Sequence, residues 1–155
     1  MSILASKRKE NQAEYVAKAR KIHIETLHFL SRLSARYARL LGTEVAKLAA
    51  EVEIYAEKAN GIYPSSPGCV VLRERHLLEA KASLQALDAQ LGLCFEVMAL
   101  NPEGCYRTEN GFMEAKNANK KLDKTAERLG VLIDEEYRLL QAVLDSDKKR
   151  VSKMK

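Results

Sequence analysis

Residues 57–68 read Glu57-Lys58-Ala59-Asn60-Gly61-Ile62-Tyr63-Pro64-Ser65-Ser66-Pro67-Gly68, and this stretch decides the fold. On its N-terminal side Leu41, Val45, Leu48, Val52, Tyr55, Ala59 and Ile62 recur at alternating steps of four and three. On its C-terminal side Leu77, Ala80, Leu84, Leu87, Leu91, Cys94 and Met98 do the same. Each spacing collects its members on one face of a helix and follows the seam of left-handed bundles. Between the stripes, Asn60-Gly61 tolerates positive φ at a helix end. Pro64 pushes Tyr63 out of the α region, so the helix cannot easily run through it. A stop this sharp and short predicts a hairpin of two antiparallel helices, with the next helix starting after Gly68.

Working outward, Tyr15, Ala19, Ile22, Thr26, Phe29 and Leu33 form a stripe before this hairpin. Ala115, Ala118, Leu122, Ala126, Leu129, Ile133, Tyr137, Leu140 and Leu144 form another after it. Ser34 is placed to cap the second helix, with Gly42-Thr43 as the alternative break. Asn101-Pro102-Glu103-Gly104 ends the third helix, and the chain to Gly111 leads into the fourth. No segment sustains period-two alternation. The expected fold is all-α, an up-down-up-down antiparallel four-helix bundle over residues 12–144. A basic flexible N-terminus (residues 1–11) and a basic flexible C-terminal tail (residues 145–155) are expected to flank it.

A chain of 155 residues with 46% hydrophobic and 30% charged residues can bury one core and has neither a disordered nor a membrane composition. It holds no run of 18 apolar residues, and its first residues lack the apolar segment of a signal peptide, so a cytoplasmic protein is expected. Cys69, Cys94 and Cys105 have no metal-knuckle spacing, which points to reduced thiols.

Catalytic and metal chemistry find little support. His23 and His28 are five residues apart, and His76 sits in a polar helix start. Glu25-Thr26-Leu27-His28 is a single copy of a motif that a di-iron bundle needs twice. Phosphate loops, nucleophile elbows and Cys/His dyads are also lacking. No cofactor, no metal ligand and no catalytic residue is expected.

Charge placement is more informative. Residues 1–39 carry nine Lys and Arg against three Asp and Glu, residues 40–144 carry twelve against sixteen, and residues 145–155 carry five against two. Lys18, Lys21, His28 and Arg32 recur beside the first apolar stripe, Arg36 and Arg39 extend the row, and Lys148, Lys149 and Arg150 form a second cluster. Lys18, Lys21, Arg32, Arg36, Arg39, Lys148, Lys149 and Arg150 are therefore the candidate phosphate contacts, giving salt-sensitive, sequence-independent binding. A merely solubilising face is the alternative.

The start SILASKRKENQAEY (residues 2–15), Ala19-Arg20-Lys21-Ile22, Glu25-Thr26-Leu27, Ala35-Arg36-Tyr37, Ala59-Asn60-Gly61-Ile62-Tyr63-Pro64, Arg73-Glu74-Arg75 and Ala80-Lys81-Ala82-Ser83-Leu84-Gln85-Ala86-Leu87 together resemble one family. It is the four-helix-bundle group of accessory variability proteins of diversity-generating retroelements, related to proteins encoded in ribosomal-RNA intervening sequences. The likeness covers roughly residues 2–100. It departs at Ser34-Ala35-Arg36-Tyr37, where relatives tend to carry Pro-Lys-Arg-Tyr. The resemblance implies a non-enzymatic homo-oligomer, pentameric in the retroelement protein, that binds a reverse transcriptase and associates with RNA or DNA through positions including Arg36 and Arg39. It also implies that Tyr63 and Pro64 are structural and fix the corner of the hairpin after the second helix. A second expectation from the residues is an oligomeric protein–protein scaffold without nucleic-acid binding. A bundle enzyme with a buried metal or cofactor lacks the ligands.

Overall fold

The computed structural model describes residues 13–154. Helices α1 (Glu14–Ser31), α2 (Ala35–Asn60), α3 (Pro67–Leu100) and α4 (Ala115–Lys153) build it, with a short hairpin between α3 and α4. Consecutive helices pack on one another and α1 packs on α4, which closes a four-helix bundle. Two ion pairs give the sense of the α1–α4 contact. Lys18 meets Glu135 at 2.5 Å and Glu25 meets Arg128 at 3.2 Å, so a step of seven up α1 is a step of seven down α4. The expected N-terminal segment of residues 1–11 lies outside the described residues.

The stripes of α1 and α3 are buried throughout, as their spacing predicts. In α2 the fully buried row is Gly42, Val45, Ala49, Val52, Ala56 and Ala59, while Leu41, Leu48 and Tyr55 are half-buried. The face is turned by one residue from the sequence reading. Small side chains let the backbone approach its neighbours, and the larger ones spread sideways over the seams between helices.

Three local expectations are corrected. Ser34 does begin α2, but its side chain makes no cap. Its Oγ donates to the Gly104 carbonyl and its N–H to the Cys105 carbonyl, both at 2.6 Å, so the residue ties the α1–α2 turn to the far loop. Gly61 stays right-handed at φ −72°, and Tyr63 is 75% exposed although Pro64 is buried. Arg73 holds that corner instead, donating to the Ala59 and Ile62 carbonyls at 3.2 Å. Helix α3 then begins at Pro67, one turn of which is capped by Ser66 Oγ accepting from the Cys69 N–H at 3.3 Å.

The expected flexible tail from residue 145 is also corrected, because α4 continues to Lys153. Asp147 falls on its inward face and receives Arg73 Nε at 2.7 Å, with both side chains largely buried. Arg150 and Lys153 in the last turn suit the negative end of the helix dipole. High charge density marks a solvated face here, and the helix survives it.

The α3–α4 connection holds a feature that no periodicity could show. After a 3-10 turn at Pro102–Gly104, strands β1 (Arg107–Thr108) and β2 (Gly111–Phe112) pair antiparallel across Glu109-Asn110. Gly111 sits at φ +128°, a conformation that strongly favours glycine. Tyr106, just before the hairpin, bridges Leu33 and accepts from the Met113 N–H at 3.0 Å. The loop is thereby fastened across the ends of α1 and α4.

Candidate nucleic-acid interface

Lys18, Lys21, Glu25, His28 and Arg32 step along α1 by three and four, so they form one row beside its buried stripe. The pairs with Glu135 and Arg128 show that this row faces α4. Helix α4 answers with Lys120, Lys124 and Arg128, spaced by four, and with Lys121 beside them. The two rows converge near the C-terminal end of α1 on a cavity of about 400 Å³. Its walls are His28, Phe29 and Arg32 at the end of α1 and Asn117, Lys120, Lys121, Lys124, Thr125 and Arg128 from α4, with Tyr106 from the fastened loop.

Tyr106 is 1% exposed, and its hydroxyl has no hydrogen-bond partner among the described residues. Burial pushes that hydroxyl up to about 12, so it is a donor throughout the physiological range. Thr125 on the same wall donates to the Lys121 carbonyl at 2.9 Å, and its oxygen, still free to accept, lies close enough to the Tyr106 hydroxyl to oppose that rise. Lys121 Nζ lies 4.2 Å over the centroid of the Tyr106 ring. Burial, aided by the charge of Arg32, holds the Lys121 ammonium below its ordinary value. Among the described residues none lining the cavity is a carboxylate, and of its lysines and arginines only Arg128 is paired, to Glu25.

The sequence-predicted positions divide among this groove and two other places. Arg32 lines the cavity and Lys21 lies exposed on the same row. Lys18 is engaged by Glu135, whose carboxyl is held below the usual range first by that hydrogen bond and then by the Lys18 charge. Arg36 and Arg39 are exposed on the first turns of α2, three residues beyond the end of α1, and so share its end of the bundle. Lys148, Lys149 and Arg150 are exposed at the other end of α4, about 40 Å along the helix from Lys121 at 1.5 Å per residue. They belong to a separate patch.

Sequence reasoning missed Lys120, Lys121, Lys124, Arg128 and Tyr106. The i, i+4, i+8 spacing of Lys120, Lys124 and Arg128 was a legible signal, whereas nothing local marks Tyr106. His23 Nδ1 lies 2.7 Å from Glu53, which also receives Arg20 at 3.0 Å, so this histidine clamps α1 to α2. Among the described residues no three His, Cys, Asp or Glu side chains are grouped to hold a metal ion, and no helix is long and apolar enough to cross a membrane. Cys94 and Cys105 are buried, and their thiols are pushed up to about 11, which suits core packing. No family model, curated protein or solved structure matches the chain.

Proposed function

We propose that this chain is a non-enzymatic nucleic-acid-binding protein that acts as an accessory to a reverse transcriptase of a diversity-generating retroelement, and that it works as a homo-oligomer. The observation that carries nucleic-acid binding is the convergence of two basic rows, one from each end of the chain, on a single groove between α1 and α4. Cations clustered on one concave surface attract a phosphate backbone without reading its sequence. Arg36 and Arg39 extend the field around the end of the bundle. The reverse-transcriptase partnership and a pentameric ring rest on the resemblance carried by residues 2–100.

A second reading, an oligomeric scaffold without nucleic acid, is favoured by one observation. Val71, Leu78, Leu93 and Leu100 are exposed along one flank of α3. Apolar rows of this kind suit association between chains.

The test is binding of the purified protein to a labelled structured RNA and to a DNA duplex at about 50 and 200 mM salt. Nucleic-acid binding predicts micromolar or tighter affinity that falls by orders of magnitude over that interval. Replacing Arg32, Arg36 and Arg39 together with Glu abolishes it while helical content is retained. Unchanged binding by that variant removes the groove from the proposal. A wild-type protein that assembles but binds neither probe leaves the scaffold.

A further inference from the structure

Helix α3 is apolar on its outward side as well as on the side it buries, a composition that suits a helix covered on both sides. Its exposed residues are arranged symmetrically about the midpoint between Gln85 and Ala86. Ala82 and Ala89 lie equally far on either side of that point, and so do Leu78 and Leu93, Arg75 and Glu96, and Val71 and Leu100. At 3.6 residues per turn, all of these fall within about 30° of one line along the helix. That line carries a single cation and a single anion, whereas the outward side of α4 bears Lys120, Asp123, Lys124, Glu127, Asp134 and Arg138. Among the described residues neither Arg75 nor Glu96 is ion-paired within the chain. Side-chain length grows away from the midpoint, from alanine to leucine to arginine and glutamate. This grading fits two helices that touch at their centres and diverge toward their ends.

We propose that this face binds a second copy of the chain, α3 antiparallel to α3, about a two-fold axis that passes between Gln85 and Ala86. The rotation sets Ala82 against the partner's Ala89, Leu78 against the partner's Leu93 and Val71 against the partner's Leu100. It sets Arg75 against the partner's Glu96, and the symmetry makes that ion pair twice. Only this register matches apolar with apolar and cation with anion. A slip of one turn strands Arg75 against Leu100 in one direction and Gly92 in the other, and it strands Glu96 against Glu79 or Val71. The inference rests on the homo-oligomer in the proposed function and deepens it by naming the face, the register and the symmetry. An isologous contact closes on itself, so the assembly holds an even number of chains, as a dimer or as paired rings.

The test is sedimentation equilibrium of the full-length chain over a concentration series, with circular dichroism verifying the fold of each variant. Arg75→Glu sets like charges opposite one another at two places and weakens the contact by about tenfold or more, and Glu96→Arg does the same. The double variant exchanges the two charges and returns to within about threefold of the native chain. Leu78→Lys abolishes the contact. Register is read by cross-linking in a Cys69→Ser background. Ala82→Cys chains mixed with Ala89→Cys chains form a disulfide under a mild oxidant, whereas Ala82→Cys chains alone do not, because their thiols stand about 10 Å apart along the helix. A monomeric native chain overturns the inference together with the homo-oligomer it rests on. An assembly that is indifferent to Arg75→Glu and Leu78→Lys, or that holds an odd number of chains, overturns the inference and leaves the homo-oligomer standing. Single charge variants that weaken the contact without recovery in the double variant overturn it as well, and so does a cross-link that forms in Ala82→Cys alone.

Discussion

Replacing Glu136 with Gln stabilises this protein, and by an amount that depends on pH. Glu136 lies on the inward face of α4 with no exposed surface, and neither carboxyl oxygen has a hydrogen-bond partner among the described residues. Burial pushes its carboxyl up to about 8 from an ordinary value of 4.5, against the pull of Lys18 and with a smaller push from Glu14. Lys18 is itself spoken for by Glu135 at 2.5 Å. The folded protein therefore holds a proton here that the unfolded chain has released at pH 7. The folded value is the raised one, so between pH 4.5 and 8 the native state binds more protons and stability falls as pH rises. At about 1.36 kcal/mol per unit, folding at pH 7 costs about 3 kcal/mol at this single position, and at pH 8 about 4 kcal/mol. Glutamine has the same shape and no titration. In urea unfolding, the variant and the native chain differ by no more than about 1 kcal/mol at pH 5 and by about 3 kcal/mol at pH 7. The melting temperature at pH 7 rises on the order of 10 °C. Other groups titrate in both proteins and cancel in the difference. A difference that stays flat from pH 5 to 8 refutes the reasoning, because it means the carboxyl is ionised or solvated in the native state.

Two further substitutions test features the helical pattern does not reveal. Asp147→Ala leaves the Arg73 guanidinium buried without its anion and costs about 3 kcal/mol or more in chemical unfolding, and truncation after Leu144 costs at least as much. A flexible tail would lose nothing on truncation. Gly111→Ala forces a side chain into φ +128° and costs about 1 kcal/mol or more, measured as a lower unfolding midpoint at unchanged m-value.

The apolar stripes alone determined that four helices form, where three of the four lie, and that they turn back on one another. A period of three and four can be buried in only one way, and Pro and Gly between stripes leave the chain no way to continue. The stripe also located Cys94 in the core, and the charge row placed Arg32 and Lys21 on one flank of α1. It did not locate Tyr106, whose burial depends on a loop fastened at Leu33 and Met113, or show that Ser34 would bind Gly104 rather than cap its helix. Nor did the basic count of residues 145–155 show that Asp147 would turn inward to Arg73, 74 positions away in the chain. Charge and polarity report how readily a side chain meets water, and this is legible one residue at a time. Whether a polar group finds a partner depends on distances between segments far apart in sequence. Only the packed bundle sets those distances, and so only it brings the two basic rows together and carries Glu136 out of water.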